Sequence, residues 1–271
     1  MTIDSGLNLK DKVVILTGGI SGIGRAIAIK LSSVGMKVAI LDVNANAASA
    51  DNEIKESEKL KLIKCDVSNS EQVREAVKKV VSFWGTIDVL VNNAGITRYG
   101  NAVDLPEKDW NLIIDTNLKG AFLMCKHVIP HMLEKGKGVV INMGSVQSLV
   151  PTRRAVAYVA SKGGILMLTK SIALDFAPVV RSVAVLPGTI HTPLVEWAAI
   201  AEVGENPQAV KEKIEEWGRS HLVGRIGKPE EVADTVAFLA SDQASFITGT
   251  SILIDGGLSD QVSISTPSDG D

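Results

Sequence analysis

The sequence predicts a single α/β domain, 1–271, built on an open, doubly wound parallel sheet of about seven strands with helices on both faces. Three observations predict it. Short β-branched runs alternate along the chain with longer stretches of helical apolar spacing. The runs are apolar, which suits strands covered on both sides. Finally, 271 residues at 45% hydrophobic content suffice for one large core, and no Pro/Gly/Ser-rich linker or internal repeat divides them.

Taken in order, the strands are predicted at 13–16, 38–41, 62–65, 89–91, 139–141, 183–186 and 252–254. Ile27, Leu31 and Val34 recur at helical spacing after the first, and Val73, Val77, Val80 and Val81 after the third. Residues 189–228 form an excursion between a strand and the next helix, with two short helices around 194–203 and 207–221. A long excursion at the carboxyl end of a strand is where an open sheet places ligand contacts, the alternative being an arm for subunit contact. The tail, 258–271, is polar.

Composition excludes several function classes. The net charge is −3 with no Lys/Arg block, so the electrostatic footprint of a nucleic-acid or anionic-membrane binder is missing. The N-terminus has no apolar core of an export signal, and no run approaches the roughly 18 apolar residues of a spanning helix. The expectation is a soluble, cytoplasmic protein. Cys65 and Cys125 are too few for a disulfide framework or a zinc site and read as reduced thiols. His127 and His131 share a helix face at i, i+4, but no third ligand lies nearby in sequence, so no metal is expected.

The first chemical signal is Thr17-Gly18-Gly19-Ile20-Ser21-Gly22-Ile23-Gly24, between the first strand and a helix. Gly18, Gly22 and Gly24 let the backbone turn tightly and approach a pyrophosphate, while Ser21 and Ile23 present N–H groups at the helix N-terminus. The second strand ends in Asp42, 24 residues after Gly18, close to the roughly 20 expected of a carboxylate that binds the adenosine ribose. Such a carboxylate repels a 2′-phosphate, and neither Ser21 nor Val43 offers a compensating base. NAD is therefore predicted in preference to NADP; the plainer alternative makes Asp42 a solvated strand end. Asp66 could take the adenine amino group with Val67 against the ring, or could instead cap the helix starting near Ser70. Asn92-Asn93-Ala94-Gly95 after the fourth strand is by itself a turn signal.

The reacting groups lie further on. Tyr158 and Lys162 sit four apart on a predicted helix and so share one face, and Ser145 follows the fifth strand. A phenol of pKa about 10 needs its anion stabilised to act as a base near neutrality, and an adjacent ammonium does so.

The set as a whole resembles the short-chain dehydrogenase/reductase family from about residue 11 to 257. The resemblance rests on Thr-Gly-x-x-x-Gly-x-Gly at 17–24, Asp66, Asn92 to Gly95, Asn117, Ser145, Tyr158 with Lys162, and Pro187-Gly188. It implies a Rossmann-type sheet and reversible hydride transfer between a nicotinamide and a carbon bearing a hydroxyl or carbonyl. It further implies that Tyr158 is the acid/base, that Ser145 holds the substrate oxygen, and that Lys162 lowers the Tyr158 pKa and contacts the nicotinamide ribose. Asn117 would hold a water in a proton relay. Asn93, Ala94 and Gly95 would line the cofactor site, with Pro187, Gly188, Thr189 and Thr192 against the nicotinamide end and the Ile190 backbone at the carboxamide. A homotetramer, assembled through the long helices from about Glu107 and Val156, is also implied.

For the substrate, the candidates after strands or in the excursion are Thr97, Arg98, Gln147, Arg153, Arg154, His191, Glu196 and Trp197. A pocket with this many polar groups suits a small polyhydroxylated molecule better than a steroid or acyl chain, since an unpartnered buried polar group costs about 1–3 kcal/mol. Glu216-Trp217-Gly218, Arg225-Ile226-Gly227-Lys228-Pro229, residues 247–257 and Ile264-Ser265-Thr266-Pro267 are similar to the aldohexose dehydrogenases of thermoacidophilic archaea. That likeness implies oxidation of an aldopyranose at C1 to a lactone, with a C-terminal tail closing the sugar pocket. Thr97 departs from it, standing where that branch is expected to carry an acidic sugar ligand. The alternatives are a 3-oxoacyl-carrier reductase or a general secondary-alcohol dehydrogenase, and, from another class, a regulator that binds dinucleotide without turnover. The complete set Ser145, Tyr158 and Lys162 argues against the last.

Overall fold

The computed structural model describes residues 6–45 and 54–260. The tail beyond residue 260, including the Ile264 to Pro267 likeness, lies outside the described residues. Seven parallel strands form one sheet in the order β3-β2-β1-β4-β5-β6-β7. They are β1 Val13–Thr17, β2 Lys37–Asp42, β3 Leu60–Lys64, β4 Val89–Asn92, β5 Gly138–Met143, β6 Val180–Pro187 and β7 Thr250–Ile254. The helices are α1 Gly22–Ser33, α2 Ser70–Trp84, α3 Glu107–Ile114, α4 Gly120–Lys135, α5 Val156–Phe176, α6 Pro193–Val203, α7 Pro207–Arg219 and α8 Pro229–Ala240.

Strand periodicity splits the core in two. Val14, Leu16, Val38, Ile40, Val89, Val91, Ile141 and Val183 face α1 and α8, whereas Val13, Ile15, Ala39, Leu41, Leu90 and Val140 face α2, α4 and α5. Both faces being covered, β1 is buried at every position, which is why its run reads as continuously apolar. β6 starts three residues before its expected position because Arg181 sits within it. Its guanidinium donates to the carbonyls of Ile247, Leu239 and Ser241 at 2.8–3.1 Å, so a charged residue occupies a place where apolar pattern alone finds no strand.

Because every strand points the same way, Thr17, Asp42, Asn92, Met143 and Pro187 end at one edge. The strand order reverses between β1 and β4, which opens a crevice beyond their carboxyl ends. A buried chain of side chains fixes α5 to this edge. Asn92 Nδ2 donates to Asn142 Oδ1 at 2.8 Å, Asn142 Nδ2 to Thr169 Oγ1 at 3.0 Å, and Thr169 Oγ1 to the Ile165 carbonyl at 2.7 Å. No helix among the described residues is long and apolar enough to cross a membrane.

Candidate active site

At the crevice, β1 runs through Thr17-Gly18 into α1, whose N-cap is Ser21. Gly18 and Gly22 have φ of +66° and +54°, left-handed conformations that other residues reach at a cost. Gly24 is required for a different reason: a Cβ there would lie 1.9 Å from the Gly18 carbonyl oxygen. The loop after β4 is bonded to this turn. Asn93 Nδ2 donates to the Thr17 and Gly18 carbonyls at 3.0 and 2.8 Å, and Thr17 Oγ1 accepts from the Asn93 and Ala94 N–H groups at 3.0 Å each. What reads in sequence as a bare turn signal is thus the clamp that sets the shape of the glycine loop.

A cleft of about 540 Å³ extends from this loop along the sheet edge. Its lining includes the predicted Gly18, Ser21, Gly22, Ile23, Gly24, Asp42, Asp66, Val67, Asn93, Ala94, Gly95, Tyr158, Lys162, Pro187 and Thr192. Asp42 is buried, and its Oδ1 accepts the Asn44 N–H at 2.9 Å, which holds the carboxylate at the cleft wall. Asp66 is not the cap of α2. Asn69 is, accepting from Glu71 N and Gln72 N, while the Asp66 carboxylate accepts from Ser68 N and Oγ. Thr192, the N-cap of α6, lies across the opening, its Cγ2 3.3 Å from where a Gly22 Cβ would stand. The glycine turn, the helix N-terminus, the Asp42 carboxylate at the wall and the length of the cleft fit a dinucleotide.

The predicted reacting groups come from two elements, the turn after β5 and α5. Ser145 caps a one-turn 3₁₀ helix, Val146–Ser148, with Oγ accepting from Gln147 N at 3.1 Å and its own N–H donating to Ser148 Oγ at 3.2 Å. This leaves the hydroxyl proton to donate, and Ser145 stands close enough to Tyr158 to lower its phenol. Lys162 is 5% exposed; Nζ donates to the Met143 carbonyl at 2.7 Å and stands 5.6 Å from the centre of the Tyr158 ring. Burial holds the lysine down to about 8. Burial also pushes the Tyr158 phenol up, against a smaller lowering by the Ser145 hydrogen bond. The protein's own groups therefore set the phenol above its ordinary value, the opposite of the direction expected from Lys162.

Asn117 sits in a π-helical turn, Asp115–Lys119, between α3 and α4, a break that is often found where a helix must aim a side chain at a site. Its side-chain amide bonds through both atoms: Oδ1 accepts from Ile96 N at 2.8 Å, and Nδ2 donates to the Ile96 carbonyl and to Ser161 Oγ, each at 3.0 Å. Ser161 Oγ in turn donates to the Tyr158 carbonyl at 2.7 Å. Gly188 packs on Asp255, 2.8 Å from a Gly188 Cβ to the Asp255 Cα. Ile190 is buried in the α1/α8 core, and its neighbours Thr189 and His191 make the bridge to Gly227.

The substrate candidates divide. Thr97 is buried, and Gln147 Oε1 is buried without a protein hydrogen-bond partner. Trp197, half-exposed on α6, stacks on Tyr99 at 5.9 Å between centroids and 3° between planes. Tyr99, which no motif marks, lies close enough to Tyr158 to raise its phenol. Arg154 instead points to the rim, 60% exposed and paired with Asp104 at 2.9 Å, with φ of +58°. His191 pairs with Glu196 at 3.5 Å beside a separate groove between α6 and α7. The sequence also gave no notice of Cys65, Met143, Gly144 and Leu194 in the cleft wall. Of these only Cys65 and Gly144, next to motif residues, carry a positional signal. Among the described residues, no group of three or more His, Cys, Asp or Glu side chains could hold a metal ion.

The chain matches the family model described as enoyl-(acyl carrier protein) reductase over residues 18–259. It is 39% identical to the 3-oxoacyl-[acyl-carrier-protein] reductase of Thermotoga maritima, with 93% of this chain and 99% of that one covered. It is 37% identical to the NAD-dependent glycerol dehydrogenase of Listeria innocua, covering 94% and 96%. Among solved structures, the aldohexose dehydrogenase of Thermoplasma acidophilum is 47% identical, with 96% and 99% covered and a TM-score of 0.90.

Proposed function

The chain belongs to the short-chain dehydrogenase/reductase family, and on that premise we propose that it oxidises the C1 hydroxyl of an aldopyranose to the lactone, with NAD preferred over NADP. The observation that carries the sugar reading is the half-exposed Tyr99–Trp197 stack beside Tyr158. A pyranose presents an apolar C–H face and a rim of hydroxyls, so it suits an aromatic wall with polar groups around it. Gln147 Oε1, buried and unpartnered among protein atoms, would accept one such hydroxyl. The 47% identity to the Thermoplasma enzyme supports the same substrate class.

In this reading Tyr158 takes the proton of the C1 hydroxyl and Ser145 donates its hydrogen to the substrate oxygen, which orients C1. NAD, when bound, would supply the acceptor for the hydride leaving C1. Lys162 would stabilise the phenolate as it forms, its ammonium present below about pH 8, and Asn117 holds the Ile96 loop and Ser161 so that α5 keeps Tyr158 in place. Gly18, Ser21, Gly22, Ile23 and Gly24 would hold the pyrophosphate, Asp42 the adenosine ribose, and Asp66 with Val67 the adenine. Pro187, Gly188, Ile190 and Thr192 would flank the nicotinamide. We further propose a cytoplasmic homotetramer, supported by the apolar side chains of Met167 and Leu174 left exposed on α5.

A 3-oxoacyl-carrier reductase is the second reading, favoured by the 39% identity to the Thermotoga enzyme; the Asp42 carboxylate, which repels the 2′-phosphate of NADPH, weighs against it. The test is NADH formation against a panel of aldoses, glycerol and simple secondary alcohols, with 3-oxoacyl thioesters assayed in the reducing direction. Selective turnover of an aldose group supports the proposal. Silence on aldoses with turnover of another class overturns it.

A further inference from the structure

We infer that His221 is a positioning residue for the nicotinamide end of the cofactor cleft, holding Thr189 in place only while its imidazole is neutral. The side chain is 3% exposed. Its Nδ1 lies 2.9 Å from the Trp217 carbonyl oxygen and its Nε2 3.3 Å from the Thr189 backbone nitrogen. A carbonyl can only accept and a backbone N–H can only donate, so Nδ1 carries the hydrogen and Nε2 the lone pair. The site accepts one tautomer of the neutral ring. A second proton, on Nε2, would face the Thr189 N–H donor to donor.

The bond matters because of where Thr189 stands. It lies between Pro187 and Thr192, both of which line the cleft. The segment is strapped to the body at Gly188 N to Ile254 O, Gly227 N to Thr189 O and His191 N to Gly227 O, each 2.9 Å. His221 supplies the remaining anchor, that of the Thr189 N–H, and ties the end of α7 to the exit of β6. The ring is confined against the exit of β7, with its Cβ and Cδ2 3.5 and 3.6 Å from where a Gly256 Cβ would be.

The charged groups around it are already committed. A small cavity of about 220 Å³ beside His221 is also lined by Arg225, Glu231 and Asp255. Arg225 makes two bonds to Glu231, at 2.9 and 2.6 Å. Asp255 accepts from Gly257 N, Ser259 N and Ser259 Oγ. From α7 the ring meets the Trp217 carbonyl. Hydrogen bonding and the guanidinium hold Glu231 at about 2, and Asp255 is also held below the ordinary carboxylate range, so both stay charged in mild acid. A proton on Nε2 removes the Thr189 bond without disturbing these neighbours. The inference rests on the family's use of NAD(P) and is independent of which alcohol is oxidised.

The test is titration with NADH, read by its fluorescence on binding, at about pH 7.5 and about pH 5.5 for the wild type, His221→Gln and His221→Leu. Losing a buried hydrogen bond that shapes the site is expected to raise Kd about tenfold, or about 1.4 kcal/mol. The wild type should therefore show a Kd about tenfold higher at the acid pH. His221→Gln, whose amide oxygen accepts from Thr189 N but takes no proton, should bind like the neutral wild type at both. His221→Leu should bind about tenfold more weakly at both. A wild-type Kd unchanged by acid, an acid loss of the same size in His221→Gln, or a fall in Tm with no change in Kd would each overturn the assignment. Where His221→Leu does not fold, the wild type and His221→Gln decide it between them.

Discussion

Lys162 offers a prediction whose size follows from its surroundings. A lysine held to about 8 instead of the ordinary 10.5 costs the folded state about 3 kcal/mol wherever its ammonium persists, at about 1.4 kcal/mol per pK unit. The sign follows from proton counting. Between about pH 8 and 10.5 the unfolded chain binds the proton and the folded chain does not, so stability rises with pH across that window and the full penalty is present below it. Lys162→Met removes the penalty but leaves the Met143 carbonyl without the Nζ donor now 2.7 Å away, a loss of about 1–3 kcal/mol. At neutral pH the variant should be about 1 kcal/mol more stable than the wild type. By about pH 10.5 it should be about 2 kcal/mol less stable. The packing and hydrogen-bond contributions of the substitution are the same at both pH values, so the change of about 3 kcal/mol between them isolates the buried charge. Urea melts of both proteins at equal concentration measure it. A difference that moves by less than about 1 kcal/mol over that range would show that the Lys162 ammonium is not desolvated as its 5% exposure indicates. Turnover should be lost in the variant at every pH, because no cation then stands beside the phenolate.

The other predictions concern the proton, the ribose and the sugar. Tyr158→Phe should reduce kcat by at least about 1000-fold while leaving the NADH Kd within about twofold, since it removes the proton acceptor and not the cleft; turnover near the wild-type rate would take Tyr158 out of the mechanism. Because burial holds that phenol above its ordinary value, alcohol oxidation by the wild type should rise with pH through the neutral range, and a flat profile would contradict a phenolate base. Asp42→Ala should erode the preference for NAD over NADP by about tenfold in kcat/KM, one charge repulsion at the cleft wall; an unchanged ratio would mean that another group reads the ribose. Trp197→Ala breaks the stack on Tyr99 and should raise KM for an aldose about tenfold with little change in kcat, stacking of this kind being worth about 0.5–1.5 kcal/mol. An unaltered KM would remove the aromatic wall from the substrate site.

Local pattern accounts for most of what the sequence determined by itself. The central strands were legible because a strand buried on both faces is apolar along its length, the edge strands β3 and β7 by their shorter apolar runs, and the glycine loop because a left-handed turn and a close approach leave few other residues possible. Tyr158 and Lys162 were placed on one helix face by their spacing alone. The tertiary structure decided what spacing cannot carry. Asn93 clamps the Thr17-Gly18 turn from about 75 residues away, Asn117 engages Ile96 and Ser161, Tyr99 meets Trp197, and His221 reaches Thr189. Each of these contacts joins two elements whose mutual position is fixed by the packing of helices on the sheet, and none leaves a periodic or contiguous trace. The same reason governs the divided substrate residues. Arg154 and Trp197 are both plausible by position, yet one is drawn to Asp104 at the rim and the other to Tyr99 over the site, according to which partner the fold brings within reach. The direction of the Tyr158 shift belongs here too, because desolvation depends on everything that surrounds the ring, and a sequence records only what lies next to it in the chain.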